Sequence, residues 1–407
     1  MKIGILTFHR SINYGAVTQC YALTKELIKH FPDDTIEVVD YAPQFRLKKY
    51  KPTLNQFLLG SVKKQNTFPQ NIKVFLSQAL RLIKRPEDFK LLKARYDAFS
   101  KSLDILPLSE DTYYYDDAEQ FRQAVYGKYD VLVVGSDCVW EWTTVPLPNG
   151  YYLCGNYGAK KASFAASVGT DDYQALPEDK KNEISQALHD FSYIGVRDTS
   201  SEYVMQQACP ELVFQHNCDP TTFLDPKDLV SYRQIAKKKL EDAGISFDKP
   251  IVGLMCNEKL GKLARDIFND SVQYVGLYVP NRYCDVNLLD LQVLEWAAIF
   301  ELFDITITTF FHGTMLSLVN STPVLSFDYL PETEKQHTKL HELYTRINLP
   351  GFYYRGKTVY TETDISCIGA TAWDLIKNPP KDRIVAEIQK EALHKEGFFE
   401  YIKSMHR

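Results

Sequence analysis

Four polar segments of this chain each follow an apolar run, and their residues suit chemistry on anions and hydroxyl groups. The first contains Asn13, Tyr14 and Gly15 and opens a helical pattern, where free backbone N–H groups attract anions or polar ligand groups. Gly15 has no side chain and therefore permits close approach of a ligand to the backbone. The same residues also fit a plain turn from a strand into a helix, so this segment alone leaves both interpretations open.

The second segment, Gly135-Ser136-Asp137, ends a run of buried-strand type that begins at Asp130. A carboxylate in this position could take a proton from a sugar hydroxyl or orient that hydroxyl. Asp is also a common cap at the start of a helix, and the segment alone favours neither role. Asp137 is therefore a candidate catalytic residue, with Ser136 beside it.

The third segment places a guanidinium after an apolar run. Arg197 follows Ile194-Gly195-Val196, and its planar head group can hold a carboxylate or a phosphate through two parallel hydrogen bonds. An ion pair with the adjacent Asp198 is the alternative interpretation.

The fourth segment places an imidazole between a strand and a helix. His312 follows the β-branched run Ile305–Thr309, and a helix begins near Gly313 and Thr314. A histidine beside free helix N–H groups forms a phosphate pocket, and it can also act as an acid or base near neutral pH. A satisfied structural histidine is the alternative, but the position at a strand end favours a function.

Several patterns that would indicate other chemistry are absent or incomplete. His337 and His341 are four residues apart, but no Glu follows His337, so a solvated helix face is favoured over a zinc site. The sequence contains neither GxGxxG nor GxxxxGK[ST], which cradle nucleotide phosphates, nor the GxSxG of serine hydrolases. We therefore expect no metal and no cofactor. The basic stretch described below contains no recognisable nucleic-acid module, so no nucleic-acid partner is expected.

The four segments belong to a chain in which strand-type runs alternate with helical patterns, as in parallel sheets covered by helices. The predicted strands are Lys2–Phe8, Thr35–Asp40, Asp130–Gly135, Ala162–Val168, Tyr193–Arg197, Pro250–Cys256, Val272–Val279, Asp304–Thr309 and Pro323–Asp328. The main helical patterns are Ala16–His30, Asp228–Ala243, Leu291–Phe303, Gly313–Asn320 and the stretch 380–407. The predicted fold class is α/β, with two Rossmann-like, doubly wound domains that face a cleft and bind ligands at the carboxyl ends of their strands.

A chain of 407 residues is long enough for two domains. We predict a first domain over residues 1–227 with a basic helical insertion near 45–104, a second domain over 228–375, and a terminal helical segment over 376–407. Residues 46–101 contain 14 Lys or Arg and three acids, although the whole chain has a formal charge of −5. The stretch Asn71–Arg85 could lie on an anionic membrane surface or pack as an ordinary helix with a basic solvent side.

The start of the chain and its cysteines indicate a reducing compartment. The apolar run Lys2–Phe8 is interrupted by His9-Arg10 and lacks a small-residue cleavage site, which is unlike a secretion signal. No apolar stretch approaches the length of a membrane span. The eight cysteines form no CxxC pair, so buried, reduced thiols are expected. We predict a cytoplasmic protein, with peripheral contact at the inner membrane face as the further hypothesis.

Taken in order, these segments resemble the polysaccharide pyruvyl transferase family. The similar stretches are KIGILTFHRSINYGAVTQCYAL, IEVVDYAP, YDVLVVGSDCVW, KKASFAASVG, IGVRD, CDPTTFLD, TTFFHG and PVLSFDY. The resemblance covers about residues 1–350 and is weakest over 45–125. There are two departures, since Cys138 stands where the family often has Gln, and Thr309-Phe310 stands where Asp-Ser or Ser-Arg type pairs are common.

The resemblance implies a fold like that of B-type glycosyltransferases, with the donor mainly on the second domain and the acceptor on the first. It also implies that the C-terminal helix crosses back to the first domain. The implied donor is phosphoenolpyruvate, held by Arg197, His312, Gly313, Thr314 and Lys335. The implied acceptor is a glycan or a lipid-linked oligosaccharide, contacted by Asn13, Tyr14, Gly15, Ser136 and Asp137.

The implied reaction transfers the pyruvyl group of phosphoenolpyruvate to two hydroxyls of a surface polysaccharide or its precursor, forming a cyclic ketal. Arg197, Asp137 and His312 would be catalytic, and His312, His9 or Tyr14 would protonate the methylene carbon. Two alternatives stay open at this point: a nucleotide-sugar glycosyltransferase of the same architecture, and a non-catalytic glycan-binding relative.

Overall fold

The first of two parallel sheets carries the N-terminal segments of interest. The computed structural model describes residues 1–49, 53–54, 68–169, 171–331 and 338–406. The strands of this sheet are β1 (Lys2–Leu6), β2 (Thr35–Tyr41), β3 (Leu108–Tyr113), β4 (Val131–Val134), β5 (Lys160–Ala166), β6 (Phe191–Val196) and β7 (Gln215–His216). Their order is β3-β2-β1-β4-β5-β6-β7, and each neighbouring pair is parallel. The four residues of β4 are all buried and apolar, as a strand covered by helices on both faces requires.

The second sheet is also parallel and has the same kind of strand order. Its strands are β8 (Ile251–Met255), β9 (Gln273–Gly276), β10 (Val286–Asn287), β11 (Ile305–Thr308), β12 (Val324–Pro331) and β13 (Tyr353–Gly356). Their order is β10-β9-β8-β11-β12-β13. The predicted fold class is therefore confirmed: the chain is an α/β protein with two doubly wound, Rossmann-like sheets.

Helices connect the strands and cover the sheets. They are α1 (Tyr14–His30), α2 (Gln44–Lys49), α3 (Phe68–Lys84), α4 (Pro86–Ser100), α5 (Ala118–Val125), α6 (Glu178–His189), α7 (Thr199–Ala208), α8 (Val230–Asp242), α9 (Glu258–Phe268), α10 (Val293–Ile299), α11 (Phe311–Val319), α12 (Lys339–Arg346), α13 (Glu362–Lys377), α14 (Lys381–Ala392) and α15 (Glu396–Ser404). Short polar residues start several of them. The side chains of Asn13, Asp198 and Asn257 accept hydrogen bonds from the first turns of α1, α7 and α9, which fixes the loops that follow β1, β6 and β8.

The C-terminal stretch predicted as one helix consists of two helices that pack against different sheets. Ile384 and Ile388 of α14 belong to the apolar core around the second sheet. Phe398 and Ile402 of α15 are fully buried in the cluster that contains Ile3 of the first sheet. The chain therefore returns to the first sheet after completing the second, while the predicted domain limits stay predictions.

The strands that sequence patterns did not predict are β3, β7, β10 and β13, which lie at the four edges of the two sheets. In β3 only Ser109 and Tyr113 are buried, and the two-residue strands β7 and β10 offer no pattern at all. Edge strands contact a neighbour on one side only, so their sequences need less apolar character than those of central strands.

Two further expectations concern the surroundings of the protein. None of the described helices has both the length and the apolar character needed to cross a bilayer. All eight cysteines lie in the described part of the chain and carry free thiols, as expected, and four of them are buried.

Candidate active site

The residues of interest follow the strands at which each sheet reverses its order. This reversal lies between β1 and β4 in the first sheet and between β8 and β11 in the second. Ligands of doubly wound sheets bind in the crevice that such a reversal opens at the carboxyl ends of the strands. The loops after β4 and β11 bring Asp137 and His312 to this crevice, and the loop after β6 adds Arg197.

Arg197 is a buried cation, only 2% exposed, whose guanidinium lies among three carboxylates. Its Nη1 atom lies 3.0 Å from Oδ2 of Asp219 and 3.9 Å from Oδ1 of Asp137. The Nε atom lies 3.8 Å from Asp198, so the ion pair expected from the sequence is only a secondary contact. The guanidinium carbon lies 5.1 Å from the centre of the Phe311 ring, which connects Arg197 to the start of α11. Arg197 thus links residues of both sheets.

Asp219 was not predicted as a site residue, although it lies in the similar stretch CDPTTFLD. Its Oδ1 atom accepts hydrogen bonds from the backbone and hydroxyl of Thr221, at 3.0 and 2.7 Å. Burial raises the pKa of Asp219, but His312, Arg197 and the Thr221 bonds outweigh burial and lower it below the usual range. The carboxylate is therefore ionised and fixed, which makes it a counter-ion for Arg197.

Asp137 stands at a backbone position with φ of 80° and does not cap a helix, so the capping alternative is excluded. One carboxylate oxygen accepts from the backbone N–H of Cys138 at 2.8 Å, and the other from the side-chain amide of Asn13 at 3.4 Å. Burial acts to raise the pKa of Asp137, but Lys339, Arg197 and His312 lower it to about 2. Asp137 is thus an ionised hydrogen-bond acceptor at neutral pH.

His312 lies in the first turn of α11, directly against the start of α1 in the other domain. A Cβ atom built on Gly15 would overlap its imidazole ring, so the ring packs directly against the glycine. The Nδ1 atom is buried and lacks a hydrogen-bond partner among the described residues. Burial lowers the pKa of His312, and the carboxylates of Asp219 and Asp137 only partly oppose that effect. The ring is therefore neutral at pH 7.

Lys339 completes the cluster and was missed by the sequence analysis. Its Nζ atom contacts the Sγ atom of Cys138, which also accepts from Nη2 of Arg197 at 3.7 Å. Glu342 holds the start of α12 in place, since its carboxylate accepts from the backbone N–H groups of Thr199 and Ser200 at 2.7 and 3.2 Å. Lys339 lies between His337 and His341, in the stretch that was predicted to be a solvated helix face. Nothing in the sequence of that stretch distinguishes Lys339 from an ordinary surface lysine.

The cavity beside these groups has a volume of about 240 Å³. Its lining residues come from both domains: Glu141, Gly169, Asp198, Ser200, Thr309, Phe311, Thr338, Lys339, Leu340 and Glu342. Burial raises the pKa of Glu141, so this carboxyl group is more easily protonated than an exposed one. Lys335, the lysine predicted at the donor, lies outside the described residues, next to the segment that carries Lys339.

Several predicted site residues are used by the fold itself. The hydroxyl of Ser136 is fully buried and donates to the carbonyl of Ala165 at 3.1 Å. The hydroxyl of Thr314 is within 2.7 Å of Ser326 Oγ, and its backbone N–H donates to Phe310 at 3.1 Å. Both hydroxyls are thus used within the fold, and the binding roles predicted for these two residues stay predictions. Gly313 packs closely against Thr308 Oγ1, which explains the absence of a side chain there.

Neither Tyr14 nor His9 offers a free group for proton transfer. The Tyr14 hydroxyl lies 2.9 Å from the carbonyl oxygen of Leu291 and 3.0 Å from that of Arg95, and its one hydrogen is shared between these acceptors, so it joins the two domains. His9 is fully buried, with Nε2 at 3.1 Å from Asp40 and Nδ1 at 3.2 Å from the carbonyl of Thr7. Of the three proton donors considered from the sequence, His312 is the one with a ring nitrogen that lacks a partner among the described residues, and the assignment stays a prediction.

A second cavity of about 360 Å³ lies at the carboxyl edge of the second sheet alone. Its lining includes Asn257, Lys259, Asp328, Thr358 and Tyr360. Away from both cavities, one group among the described residues could hold a metal ion, namely His189, Cys209 and Glu211. Both ring nitrogens of that histidine are already used, however, at 2.7 Å from Glu211 and 2.7 Å from the carbonyl of Ser185.

The sequence profile of the polysaccharide pyruvyl transferase family matches residues 13–331 of the chain. The chain belongs to this family. The matched region contains Asn13, Asp137, Arg197, Asp219 and His312, so most of the described cluster lies within the family's own region. Lys339 follows the matched region, which adds a reason why it was missed. The comparison with curated proteins gave no match.

Solved structures of low sequence identity share the fold of this family member. A glycosyltransferase from Rickettsia africae superposes with a TM-score of 0.53 at 9% identity, covering 98% of each chain. A Listeria monocytogenes protein provisionally assigned as a UDP-N-acetylglucosamine 2-epimerase gives a TM-score of 0.52 at 13% identity, covering 100% of this chain and 96% of that one. The predicted B-type glycosyltransferase architecture is thereby confirmed.

Proposed function

We propose that this family member transfers the pyruvyl group of phosphoenolpyruvate to two hydroxyls of a glycan, forming a cyclic ketal. One observation carries the proposal: Arg197, Lys339 and His312 come from three separate elements and meet the carboxylate of Asp137 beside a cavity between the domains. Cationic side chains suit a donor with a phosphate and a carboxylate, and an ionised acid suits a hydroxyl acceptor.

The donor would be held mainly by Lys339 and His312. Arg197 is already balanced by Asp219, and Asp137 faces Lys339, so the empty site has little excess positive charge. A dianion entering the cavity therefore favours the protonated form of His312. Its buried Nδ1 atom, which lacks a partner in the described structure, supplies the group that can take up this proton or share it with the donor.

The chemistry needs three proton movements, and the cluster contains groups suited to them. A proton from His312 is added to the methylene carbon, and C2 then accepts the oxygen of the first hydroxyl, whose proton returns to the site. The second hydroxyl attacks the same carbon as the C2–O bond to phosphate breaks, and its proton leaves with the phosphate. Asp137, held by Asn13, orients the hydroxyls, and this positioning accounts for much of the acceleration expected.

A nucleotide-sugar glycosyltransferase is the second candidate, and one observation favours it. The cavity at the edge of the second sheet meets the first cavity at Thr309, and its own polar lining includes Lys259 and Asp328 but not Lys339. The R. africae structure with the same fold is named as a glycosyltransferase. Under this alternative the donor occupies the second cavity, and Lys339 plays no part in binding it.

Thermal stability with two donors and two lysine variants distinguishes the candidates. We expect phosphoenolpyruvate to stabilise the wild type, by about 2.7 kcal/mol at one hundred times its dissociation constant. Lys339→Met should remove this stabilisation, whereas the matched variant Lys259→Met, altered only in the second cavity, should keep it. Stabilisation by UDP-sugars that Lys259→Met removes would instead support the glycosyltransferase.

The reaction itself is tested by phosphate release and by mass spectrometry of a glycan acceptor. The pyruvyl ketal adds the mass of pyruvate less one water, and one phosphate is released for each ketal formed. Glycan acceptors that release no phosphate from phosphoenolpyruvate, together with absent donor stabilisation in their presence, would contradict the proposal.

A further inference from the structure

Helix α3 carries a row of apolar side chains that the described structure leaves uncovered. Ile72, Leu76, Leu80 and Ile83 are 43, 53, 54 and 77% exposed. Their spacings of four, four and three residues place them on one face of the helix. A contiguous exposed apolar row of this kind is typical of a surface that binds a membrane or another protein.

The chain around this row is basic to an unusual degree. Residues 43–86 contain ten Lys or Arg and no Asp or Glu. Within α3, Lys73 follows the first apolar residue of the row and Lys84 follows the last, so lysines flank the row at both ends. Apolar side chains bordered by lysines complement an interface that is apolar inside and negatively charged outside.

The row also lies next to the mouth of the cleft. Nη1 of Arg85, directly after α3, lies 2.5 Å from Oε1 of Glu258 at the start of α9 in the second domain. A groove of about 710 Å³ runs between them and is lined by Ile72, Leu76 and Leu80 of the row together with Lys84, Arg85 and Arg282. Asn257 and Lys259, on either side of Glu258, line the cavity at the edge of the second sheet. The groove thus ends beside the ligand-binding edge.

We propose that this face of α3 docks on a bilayer that carries anionic headgroups. We define the α3 surface as Ile72, Lys73, Leu76, Leu80, Ile83 and Lys84. The four apolar side chains enter the interface between headgroups and acyl chains, and the two lysines contact lipid phosphates. The docked protein holds the cleft beside the membrane, within reach of an acceptor attached to a lipid. Docking of the α3 surface does not depend on which donor the protein uses.

Co-sedimentation of the full chain with vesicles tests the docking. We expect binding at low salt to vesicles of mixed phosphatidylglycerol and phosphatidylcholine, and much weaker binding to phosphatidylcholine alone. Added salt should reduce the bound fraction without abolishing it, because salt screens the lysines but not the apolar contacts. Equal binding to both vesicle types, or none to the anionic ones, would overturn the proposal.

A matched pair of double variants locates the surface. Ile72→Glu with Ile83→Glu should lower the partition onto anionic vesicles by about tenfold or more, since it removes two inserted side chains and adds two repelled charges. Ile235→Glu with Val213→Glu makes the same change in charge at positions 45 and 72% exposed on other faces. This control should bind almost as the wild type does, and both variants should keep the wild-type melting temperature.

Two results of the variant experiment would contradict docking at this face. One is an equal loss of vesicle binding in the two double variants, which would show a general charge effect. The other is a dimer, seen by light scattering, that only the α3 variant dissociates while its vesicle binding persists. In that case a second copy of the chain covers the apolar row.

Discussion

At the scale of single residues, the cluster is arranged so that its one neutral base responds to an arriving charge. Arg197 and Lys339 face the ionised carboxylates of Asp219 and Asp137, whereas burial keeps His312 unprotonated. An anion placed among them changes the balance most at the imidazole, because that group alone can gain a positive charge there. Donor binding should therefore be coupled to proton uptake.

We predict that the affinity for phosphoenolpyruvate rises as the pH falls from 8 toward 6. The pKa of His312 is below its usual value in the empty site and should rise when the dianion binds. The complex therefore binds more protons than the free protein, so lowering the pH strengthens donor binding between the two pKa values. One proton changes the dissociation constant by at most about tenfold per pH unit. Calorimetry at several pH values, in buffers of different ionisation enthalpy, measures both the affinity and the proton uptake.

The control for this prediction is His312→Gln, which keeps a hydrogen-bonding side chain but cannot gain the charge. Its remaining pH dependence reports the ionisation of the donor itself. A wild type and a glutamine variant with the same pH slope would show that another group takes up the proton.

At the scale of elements, the sequence predicts the central strands and the residues that directly follow them. It does not predict which other segments reach the site. The strands β1, β4 and β11 are buried along almost their whole length and β6 over its last three residues, so their apolar runs are visible. The residues after them could therefore be placed at the crevice. Asp137, Arg197 and His312 were identified for that reason, and the structure brings them together. Their roles in binding and catalysis remain predictions.

The sequence contains no comparable pattern for the contacts of three other residues near the site. Lys339 arrives at the start of α12, where the position of its helix is set by Glu342 and the backbone of α7. Asp219 stands in a short turn whose capping bonds look like those of many Asp-Pro turns. Tyr14 was expected to contact an acceptor, but the partners of its hydroxyl are carbonyl groups distant in sequence. Long-range packing decides all three.

The contact between α1 and α11 leads to a prediction about two glycines in helices. Intrinsic propensity alone says that Gly→Ala stabilises a helix by roughly 0.5–1 kcal/mol. At Gly369 in α13 the added methyl group would lie at an ordinary 3.4 Å from Ile267, so Gly369→Ala should be neutral or stabilising. At Gly15 it would overlap His312, so Gly15→Ala should displace the imidazole and weaken donor binding.

Melting temperature and donor affinity of the two alanine variants check this expectation. The affinity should fall for Gly15→Ala alone, with the far-ultraviolet circular dichroism of both variants unchanged. Wild-type affinity in Gly15→Ala would mean that the first domain does not cover the ring when the donor binds.

At the scale of the whole molecule, the first sheet depends on a helix that the chain supplies last. Phe398 of α15 is fully buried, with ring centres at 4.9 Å from Phe164 and 5.5 Å from Tyr193. Phe398→Ala should cost about 3–5 kcal/mol of stability, through lost burial and the cavity it leaves. Calorimetric unfolding should show the loss, whereas Tyr203→Ala, at a position 67% exposed, should unfold like the wild type. Unchanged unfolding of Phe398→Ala would contradict the packing of α15.

The chain passes between the sheets twice, and the two passages touch each other. The first follows Asp219, and the second runs through α14 and the turn after it, where the carbonyl of His394 accepts from the Asn217 side chain at 2.9 Å. Ion pairs fix the second passage on both sides, from Glu391 to Arg346 at 2.8 Å and from Lys395 to Glu26 at 2.5 Å. Because the two tethers are adjacent, we expect any opening of the cleft to be a rotation about the line that joins them. A single angle then describes how wide the cleft stands, so one pair of dyes across its mouth would record the full opening and closing trajectory of a molecule during turnover.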